Sequence, residues 1–244
     1  MSWQGATTIN DSYQRVKNSD ESRLEIEQRS GRVFPDIDQM RIGEAREFSL
    51  SVLHIDVDGY TNLMSGLTDS GKLRFMNSFL SEMGVTVRDY SGHVEKFVGD
   101  RVTAVFGIEG TTELRVKHCV NCALTMLTKI KYSINPYFES IKMPLFSCSV
   151  GLDYGTTWIA RTGIHSSTQF SLVGNTVNLA SELEEIASTN QILLGGALYN
   201  NLSQDEQNLC SQIELSHWTW TWKQGKERYP VYKYTGFWSD YPLR

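Results

Sequence analysis

The stretch FSLSVLHIDVDGY, residues 48–60, decides how this chain of 244 residues folds. Apolar side chains dominate it, and two carboxylates, Asp56 and Asp58, stand directly before Gly59. A short apolar run that ends at a glycine is typical of a buried strand. We therefore predict a strand here, with acidic side chains held rigidly by the sheet at its exposed end.

The segments that follow predict a mixed α/β fold. A helix is expected over residues 70–92, and residues 93–107 are typical of two strands joined by a Gly99–Asp100 turn. A second helix should begin at Thr112 and end before Pro136. Further predicted elements are strands over 143–155, 156–163, 168–174 and 191–195, a helix over 175–188 and a terminal antiparallel hairpin over 213–237. The order β-α-β-β-α-β with extra C-terminal antiparallel strands is the ferredoxin-like α+β arrangement.

Composition and charge exclude several classes of function. The chain has 23 Lys and Arg against 28 Asp and Glu, so its net charge of −5 would not attract nucleic acid or an anionic membrane surface. No apolar run is long enough to cross a bilayer, and the first residues do not resemble a secretory signal. We expect a cytoplasmic protein without direct membrane association, with a polar arm over residues 1–40 and one domain over residues 41–244.

Two sets of side chains in this sequence have simple structural explanations. Cys119 and Cys122 form a C-x-x-C pair with no second pair, and we interpret them as packed helix residues rather than a zinc site. Trp218, Trp220 and Trp222 alternate in the terminal segment and should share one face of a strand. Because no basic residues lie between them, we expect that face to belong to the core or to a dimer contact rather than to bind nucleic acid.

Three polar side chains are candidates for chemistry. Asp56 at a strand end and Asp100 on a hairpin tip would together suit Mg²⁺ or Mn²⁺, which prefer oxygen ligands, although each alone is better explained by turn formation. Lys96 should lie between Val94 and Val98 on one face of its strand, with Glu95 on the other. An ammonium in that position would contact a ligand, or extend to solvent at a sheet edge.

These residues carry a family resemblance. HIDVDGYTNL (54–63), VEKFVGDRVTAVFG (94–107) and FSLVGNTVNLASELEEIAS (170–188) resemble, in order, three motifs of the class III nucleotidyl cyclases. The resemblance covers roughly residues 46 to 235, so residues 41–244 would be the catalytic domain.

The resemblance implies a head-to-tail homodimer that binds a nucleoside triphosphate at sites between the two chains. Asp56 and Asp100 would hold two Mg²⁺ or Mn²⁺ ions, with the carbonyl of Val57 as a further ligand. Lys96 would contact the base, and Asn178 of the second chain would orient the ribose. Lys226 matches a phosphate-binding lysine weakly, and an exposed hairpin lysine is the alternative.

The third motif departs from the adenylate cyclase pattern at two positions. Ser171 stands where adenylate cyclases carry the Asp or Thr that contacts the purine, and Glu182 stands where they carry an arginine that stabilises the transition state. Arg161 is a candidate replacement for that arginine. Arg101 is a weaker one, because it follows Asp100 directly and should point to the other face. A regulator without turnover and a divergent adenylate cyclase both remain open.

A third interpretation is a remodelled base pocket. The chain resembles the pyrimidine cyclases of bacterial anti-phage Pycsar systems in its domain length, its polar arm and its altered third motif. Lys96 and Ser171 would donate to the carbonyls of uracil, and Tyr60 would narrow the pocket against purines. Cytosine would need an extra acceptor, and no carboxylate for it is evident. We therefore predict a uridylate cyclase that makes cyclic UMP as a second messenger in defence, with a cytidylate cyclase as an alternative.

Overall fold

The computed structural model describes residues 39–107, 111–164, 167–222, 225 and 227–237, together with the backbone of Ile26–Glu27. Its strands are β1 (Ile26–Glu27), β2 (Ala45–Val57), β3 (His93–Val98), β4 (Arg101–Phe106), β5 (Cys148–Ile164), β6 (Ser167–Val173), β7 (Ile192–Gly195), β8 (Cys210–Ile213), β9 (Thr221–Trp222), β10 (Glu227–Arg228) and β11 (Val231–Tyr234). Its α-helices are α1 (Tyr60–Ser65), α2 (Asp69–Asp89), α3 (Thr112–Lys129), α4 (Asn135–Ser140), α5 (Asn175–Ile186), α6 (Gly196–Tyr199) and α7 (Gln204–Gln207). The mixed α/β fold class is confirmed.

One large sheet organises the described part of the chain. Its strand order is β3-β4-β2-β5-β7-β11-β8, with β1 beside β2 and β6 beside β5. The pairs β2–β4, β2–β5 and β3–β4 are antiparallel. Helix α2 lies in the connection from β2 to β3, and α3 lies in the connection from β4 to β5. This is the predicted ferredoxin-like β-α-β-β-α-β unit, extended by further strands at the β5 edge.

The two faces of β2 are covered by different helices. Leu53, Ile55 and Val57 point to the larger core, which α2 and α3 cover. The alternate residues belong to the opposite face, where Val52 packs beside Ala180 of α5. Because side chains alternate along a strand, Asp56 emerges on the α5 face, at the end of β2.

Helix α5 lies very close to the sheet because of a glycine. A Cβ placed on Gly151 of β5 would lie 2.1 Å from the carbonyl oxygen of Ala180 and 2.3 Å from the backbone nitrogen of Glu184. Only a residue without a side chain allows this approach. Gly151 therefore sets the distance between α5 and the strands that carry the acidic residues.

Four details differ from the sequence predictions. The second helical segment passes Pro136, because after five π-helical residues (Ile130–Ile134) the chain starts α4 with that proline in its first turn, where no amide donor is needed. The strands predicted over 143–155 and 156–163 form one strand of 17 residues, β5. The terminal hairpin is divided between the β8–β11 pair and the short β9–β10 pair. Trp218 and Trp220 precede β9 rather than lie in it, so the three tryptophans do not share a strand face, but all three pack in one hydrophobic cluster, as the core interpretation predicts.

The polar arm predicted over residues 1–40 lies mostly outside the described residues. Within it, the backbone of Ile26–Glu27 pairs in parallel with Ala45–Arg46 at the start of β2. Among the helices that the structure describes, none is both long and apolar enough to cross a bilayer.

Candidate functional site

Asp56 and Asp100 come together at one end of the sheet. Asp56 is the second-last residue of β2, and Asp100 lies in the two-residue turn between β3 and β4, where Gly99 adopts a positive φ of 61°. Burial, and then the negative charge of Asp56, raise the pKa of Asp100 to about 6. An open cleft of about 360 Å³ adjoins the pair, and its lining is Asp56, Val57, Gly59, Tyr60, Thr61, Asn62 and Asp100.

The neighbouring carboxylate, Asp58, is not free to join this pair. Its two oxygens accept hydrogen bonds from the hydroxyls of Ser147 at 2.8 Å and Ser149 at 2.6 Å. The amide of Val57 instead donates to Oδ1 of Asp56 at 3.2 Å. Asp58 therefore closes the strand end, while Asp56 and Val57 remain on the cleft.

The donor set of the cleft fits a hard divalent cation. A pair of neighbouring carboxylates, in which the charge of Asp56 raises the pKa of Asp100, is a site that positive charge stabilises. Within the described residues no group of three or more His, Cys, Asp or Glu side chains converges on one point, so a cation here would need the Val57 carbonyl, water or a substrate phosphate as further ligands. Carboxylate, carbonyl and phosphate oxygens are the ligands that Mg²⁺ and Mn²⁺ prefer.

Arg101 reaches this site, contrary to the sequence prediction. Its Nη2 lies 3.4 Å from Oδ2 of Asp56 and 2.8 Å from Oε2 of Glu184. The prediction applied strand alternation to Asp100 and Arg101, but Asp100 lies in the turn and only Arg101 belongs to β4. Since Val102 points to the larger core, Arg101 points to the α5 face, as Asp56 does.

A β-bulge changes the expected faces of β3. The register against β4 shifts between Val94 and Lys96, so that Glu95 and Lys96 together lie opposite Thr103. Lys96 therefore does not share a face with Val94, which packs on the larger core. The Glu95 side chain is only 1% exposed, and Lys96 Nζ lies 3.2 Å from its Oε1 without a well-aligned hydrogen bond. Burial raises the pKa of Glu95, and Lys96 opposes that rise.

His54 is a further buried polar residue beside the site that the sequence did not single out. Its Nδ1 lies 3.1 Å from the hydroxyl of Thr103, which ties β2 to β4. Burial, and then the charges of Arg101 and Lys96, lower the pKa of His54 to about 4. The ring is therefore neutral at physiological pH.

Tyr60 lies on the cleft, whereas Ser171 and Arg161 lie far from it in the same chain. The Tyr60 hydroxyl donates to the sulfur of Met76 at 3.2 Å. On β5, Asp56 pairs with Ser149 and Ser171 pairs with Ala160, eleven residues further along the strand. At the rise of a β-strand, eleven residues span about 36 Å.

Arg161 and Ser171 both have partners at that distant end. Arg161 donates to the carbonyl of Met40 at 2.7 Å and to the hydroxyl of Thr168 at 3.2 Å. Ser171 Oγ lies 2.6 Å from Thr162 Oγ1. One chain alone therefore does not bring either residue to Asp56.

Helix α5 presents Asn178 to solvent and directs Glu182 elsewhere. Asn178 is exposed, and its role in orienting a ribose stays a prediction. The indole Nε1 of Trp220 donates to Oε2 of Glu182, so this carboxylate is held by the C-terminal segment of its own chain. Lys226 lies outside the described residues.

The chain is similar to proteins of known activity over most of its length. The family model described as "Adenylate and Guanylate cyclase catalytic domain" matches residues 44–232. The adenylate cyclase of Anabaena cylindrica is 25% identical over 189 residues, which make up 74% of this chain but only 36% of that protein. The uridylate cyclase of Rhodovulum sp. (strain MB263) is 24% identical over 185 residues, 73% of each chain.

Two further comparisons bear on the base and on the fold. The cytidylate cyclase of Escherichia coli is 26% identical over 159 residues, 62% of this chain and 34% of that protein. The crystal structure of the adenylyl cyclase CyaB from P. aeruginosa superposes with a TM-score of 0.69 at 21% identity, covering 82% of this chain and all of that one (100%). The superposition on CyaB shows that this chain and CyaB share the same fold.

Proposed function

Because the chain belongs to the adenylate and guanylate cyclase catalytic domain family, we propose that it converts a nucleoside triphosphate to a 3′,5′-cyclic monophosphate and pyrophosphate. The observation that carries this proposal is the convergence of Asp56 and Asp100 on one open cleft. A regulator without turnover would have no need to keep two mutually repelling carboxylates together at this point.

The residues around the cleft have separate tasks in such a reaction. Asp56, Asp100 and the Val57 carbonyl would hold two Mg²⁺ or Mn²⁺ ions, which supply charge neutralisation at the triphosphate and lower the pKa of the attacking 3′-hydroxyl. The strand end and the tight turn hold the two carboxylates rigidly, so the attacking oxygen and the α-phosphate would be aligned without reorganisation of the protein. Asn178 would orient the ribose by hydrogen bonding.

Complete sites in this proposal need two chains. Asp56 and Lys96 belong to one end of the sheet, and Ser171 is separated from that end by about 36 Å along β5. A head-to-tail homodimer would bring Asn178, Ser171 and Arg161 of a second chain to the Asp56 end of the first. This separation within one chain supports the dimer.

The base that we propose is a pyrimidine, and UTP in particular. Lys96 is half exposed and can donate to a carbonyl, Tyr60 occupies room at the cleft, and Ser171 replaces the acidic or Thr contact of adenine readers. The similarity to the uridylate cyclase of Rhodovulum over 73% of each chain supports this choice. Cyclic UMP would then act in the cytoplasm as a second messenger of anti-phage defence.

A second candidate substrate is CTP, and Glu95 favours it. The preference for uracil rested partly on the lack of a carboxylate that could accept from the amino group of cytosine. The bulge in β3 puts Glu95 beside Lys96, and this carboxylate, although only 1% exposed, accepts no well-aligned hydrogen bond from the described residues, so an unsatisfied acceptor adjoins a donor there. The similarity to the cytidylate cyclase of E. coli supports the same candidate.

Product identification tests the proposed activity. The purified full chain is incubated with Mn²⁺ and with ATP, GTP, CTP or UTP separately, and the products are identified by mass. We expect a cyclic monophosphate and pyrophosphate from UTP, and none from the Asp56→Ala variant. The lack of a cyclic product from all four nucleotides would support the regulatory alternative instead.

A further inference from the structure

We propose that Arg101 is an internal counter-ion of Asp56 that competes with a divalent cation, so that metal binding requires the guanidinium to leave Asp56 for helix α5. This inference rests on the proposed function in one respect, the assignment of Asp56 to the metal pair. It adds a residue that opposes metal binding from within the same chain.

The contacts of Arg101 bridge the acidic strand end and α5. Its Nη2 lies 3.4 Å from Asp56 Oδ2 and 3.7 Å from Glu185 Oε1, and its Nη1 donates to Ser181 Oγ at 3.2 Å. The nearest carboxylate is Glu184, at 2.8 Å. The guanidinium is therefore shared between a proposed metal ligand and three residues of one helix.

Arg101 and a metal ion would compete for the Asp56 carboxylate. An ion bound to its carboxylate would stand within a few ångströms of the guanidinium, where like charges repel strongly because the site is partly shielded from water. Any ion that binds Asp56 must therefore first displace Arg101, and the work of displacement lowers the apparent metal affinity.

Helix α5 offers Arg101 a second position in which its charge stays paired. The Glu184 side chain is only 6% exposed, and its ion pair with Arg101 is the shortest of the three, although the two groups are not aligned as a hydrogen bond in this arrangement. A guanidinium presents several donors in one plane, so Arg101 can retain its contacts with Ser181 and Glu184 after its contact with Asp56 is broken. Breaking an ion pair is costly when it leaves a buried charge without a partner. Displacement of Arg101 avoids this cost, because its guanidinium stays beside Glu184.

This arrangement links the metal site to α5 energetically. Whatever favours the Arg101–Glu184 pair also favours metal binding at Asp56, and the reverse holds by linkage. Helix α5 also carries Asn178, which in the proposed homodimer belongs to the second site. Metal binding at Asp56 in one site would therefore affect the helix that contributes Asn178 to the other site.

A Mn²⁺ titration of the full-length protein without nucleotide tests the inference, with free Mn²⁺ measured by electron paramagnetic resonance. Arg101→Gln should bind Mn²⁺ roughly tenfold more tightly, within the usual range of coupling between sites. Arg88→Gln, an exposed arginine of α2 paired with Asp89, removes the same charge elsewhere and should leave the affinity unchanged. An affinity of Arg101→Gln equal to or weaker than that of the unmodified protein overturns the proposal.

A second pair of variants tests the same idea without changing Arg101. Glu184→Gln removes the nearest alternative partner, so Arg101 should bind Asp56 more firmly, and Mn²⁺ should bind more weakly than in the control Glu113→Gln, which removes an exposed carboxylate in the first turn of α3. That difference should disappear when Arg101→Gln is added, and its persistence would contradict competition by Arg101.

The Asp56→Ala variant separates this inference from the proposed function. If Asp56→Ala binds Mn²⁺ as well as the unmodified protein, the assignment of Asp56 to the metal pair fails. If it loses Mn²⁺ binding, that assignment holds and the Arg101 variants alone decide the inference.

Discussion

Asp56 and Asp100 stand at a strand end and in a turn, so their side chains add little to the core. Replacing either by Ala should abolish cyclic product formation, because each removes a ligand needed for charge neutralisation at the phosphates. The free energy of unfolding should change by about 0–1 kcal/mol, as for other surface substitutions. Turnover assays and denaturant titrations measure both effects, with Asp69→Ala, an exposed residue at the start of α2, as the control. A variant with substantial remaining activity would contradict the assignment.

Asp153 is a buried acid whose titration should be visible in stability. Burial raises the pKa of Asp153 to about 7, although Tyr229 donates a hydrogen bond to it at 2.8 Å. An unfolded chain ionises this group near its ordinary pKa of 3.8, so the unfolded state binds fewer protons between those two values. The protein should therefore lose stability as the pH rises from about 4 to about 7, by on the order of 4 kcal/mol from this group.

The Asp153→Asn variant isolates that contribution. It should lack this part of the pH dependence, so its free energy of unfolding should fall less steeply than that of the unmodified protein over the same range. Urea titrations at several pH values between 4 and 8 measure the two slopes. Parallel curves would mean that Asp153 does not carry the shift.

Single residues were predictable from the sequence where the local pattern is regular. Asp56 follows a continuous strand pattern, and the Gly99–Asp100 turn has an obvious signature. The sequence therefore predicts correctly that Asp56 lies at a strand end and that Asp100 lies in a turn. Arg101 and Glu95 were missed because alternation is a rule for regular strands. A turn residue interrupts it before Arg101, and a bulge shifts it at Glu95. No sequence signal reports a bulge of this kind.

At the scale of elements, the packing of α5 on the sheet depends on Gly151. A methyl group there would meet backbone atoms of α5, which cannot move aside as a flexible side chain would. Gly151→Ala should therefore lower the free energy of unfolding by roughly 1–3 kcal/mol, the usual cost of overpacking, and should reduce turnover by displacing Asn178. Gly66→Ala is the matched control, since its nearest added contact is 3.9 Å away. Equal denaturation midpoints for the two variants would contradict this account.

The elements themselves were predictable in type and order but less so in extent. Patterns of apolar residues gave the β-α-β-β-α-β order, because each element buries one face locally. The 17-residue length of β5 was missed, since Gly155 and the polar residues after it are typical of a turn when viewed alone. Tertiary pairing of β5 with β2 over thirteen residue pairs overrides that local signal.

At the scale of the whole molecule, complementation between chains tests the proposed homodimer. Asp56→Ala and Asn178→Ala should each be inactive alone, because one removes a metal ligand and the other the ribose contact. Mixed under conditions of subunit exchange, they should regain up to about a quarter of full activity, since half of the dimers would carry one complete site out of two. Asp56→Ala mixed with Asp100→Ala should stay inactive, because both changes affect the same half of each site. Failure of the first mixture despite demonstrated exchange would contradict the interface.

The choice of base is the central claim, and a competition assay tests it most directly. The purified protein is given equal concentrations of ATP, GTP, CTP and UTP with Mn²⁺, and the cyclic products are counted by mass. A pocket that hydrogen-bonds its own base can reject another by as much as ~10⁴-fold, so the preference should be large. We expect cyclic UMP to dominate, with cyclic CMP second and cyclic AMP far below both. A product mixture dominated by cyclic AMP would contradict the account and identify a divergent adenylate cyclase.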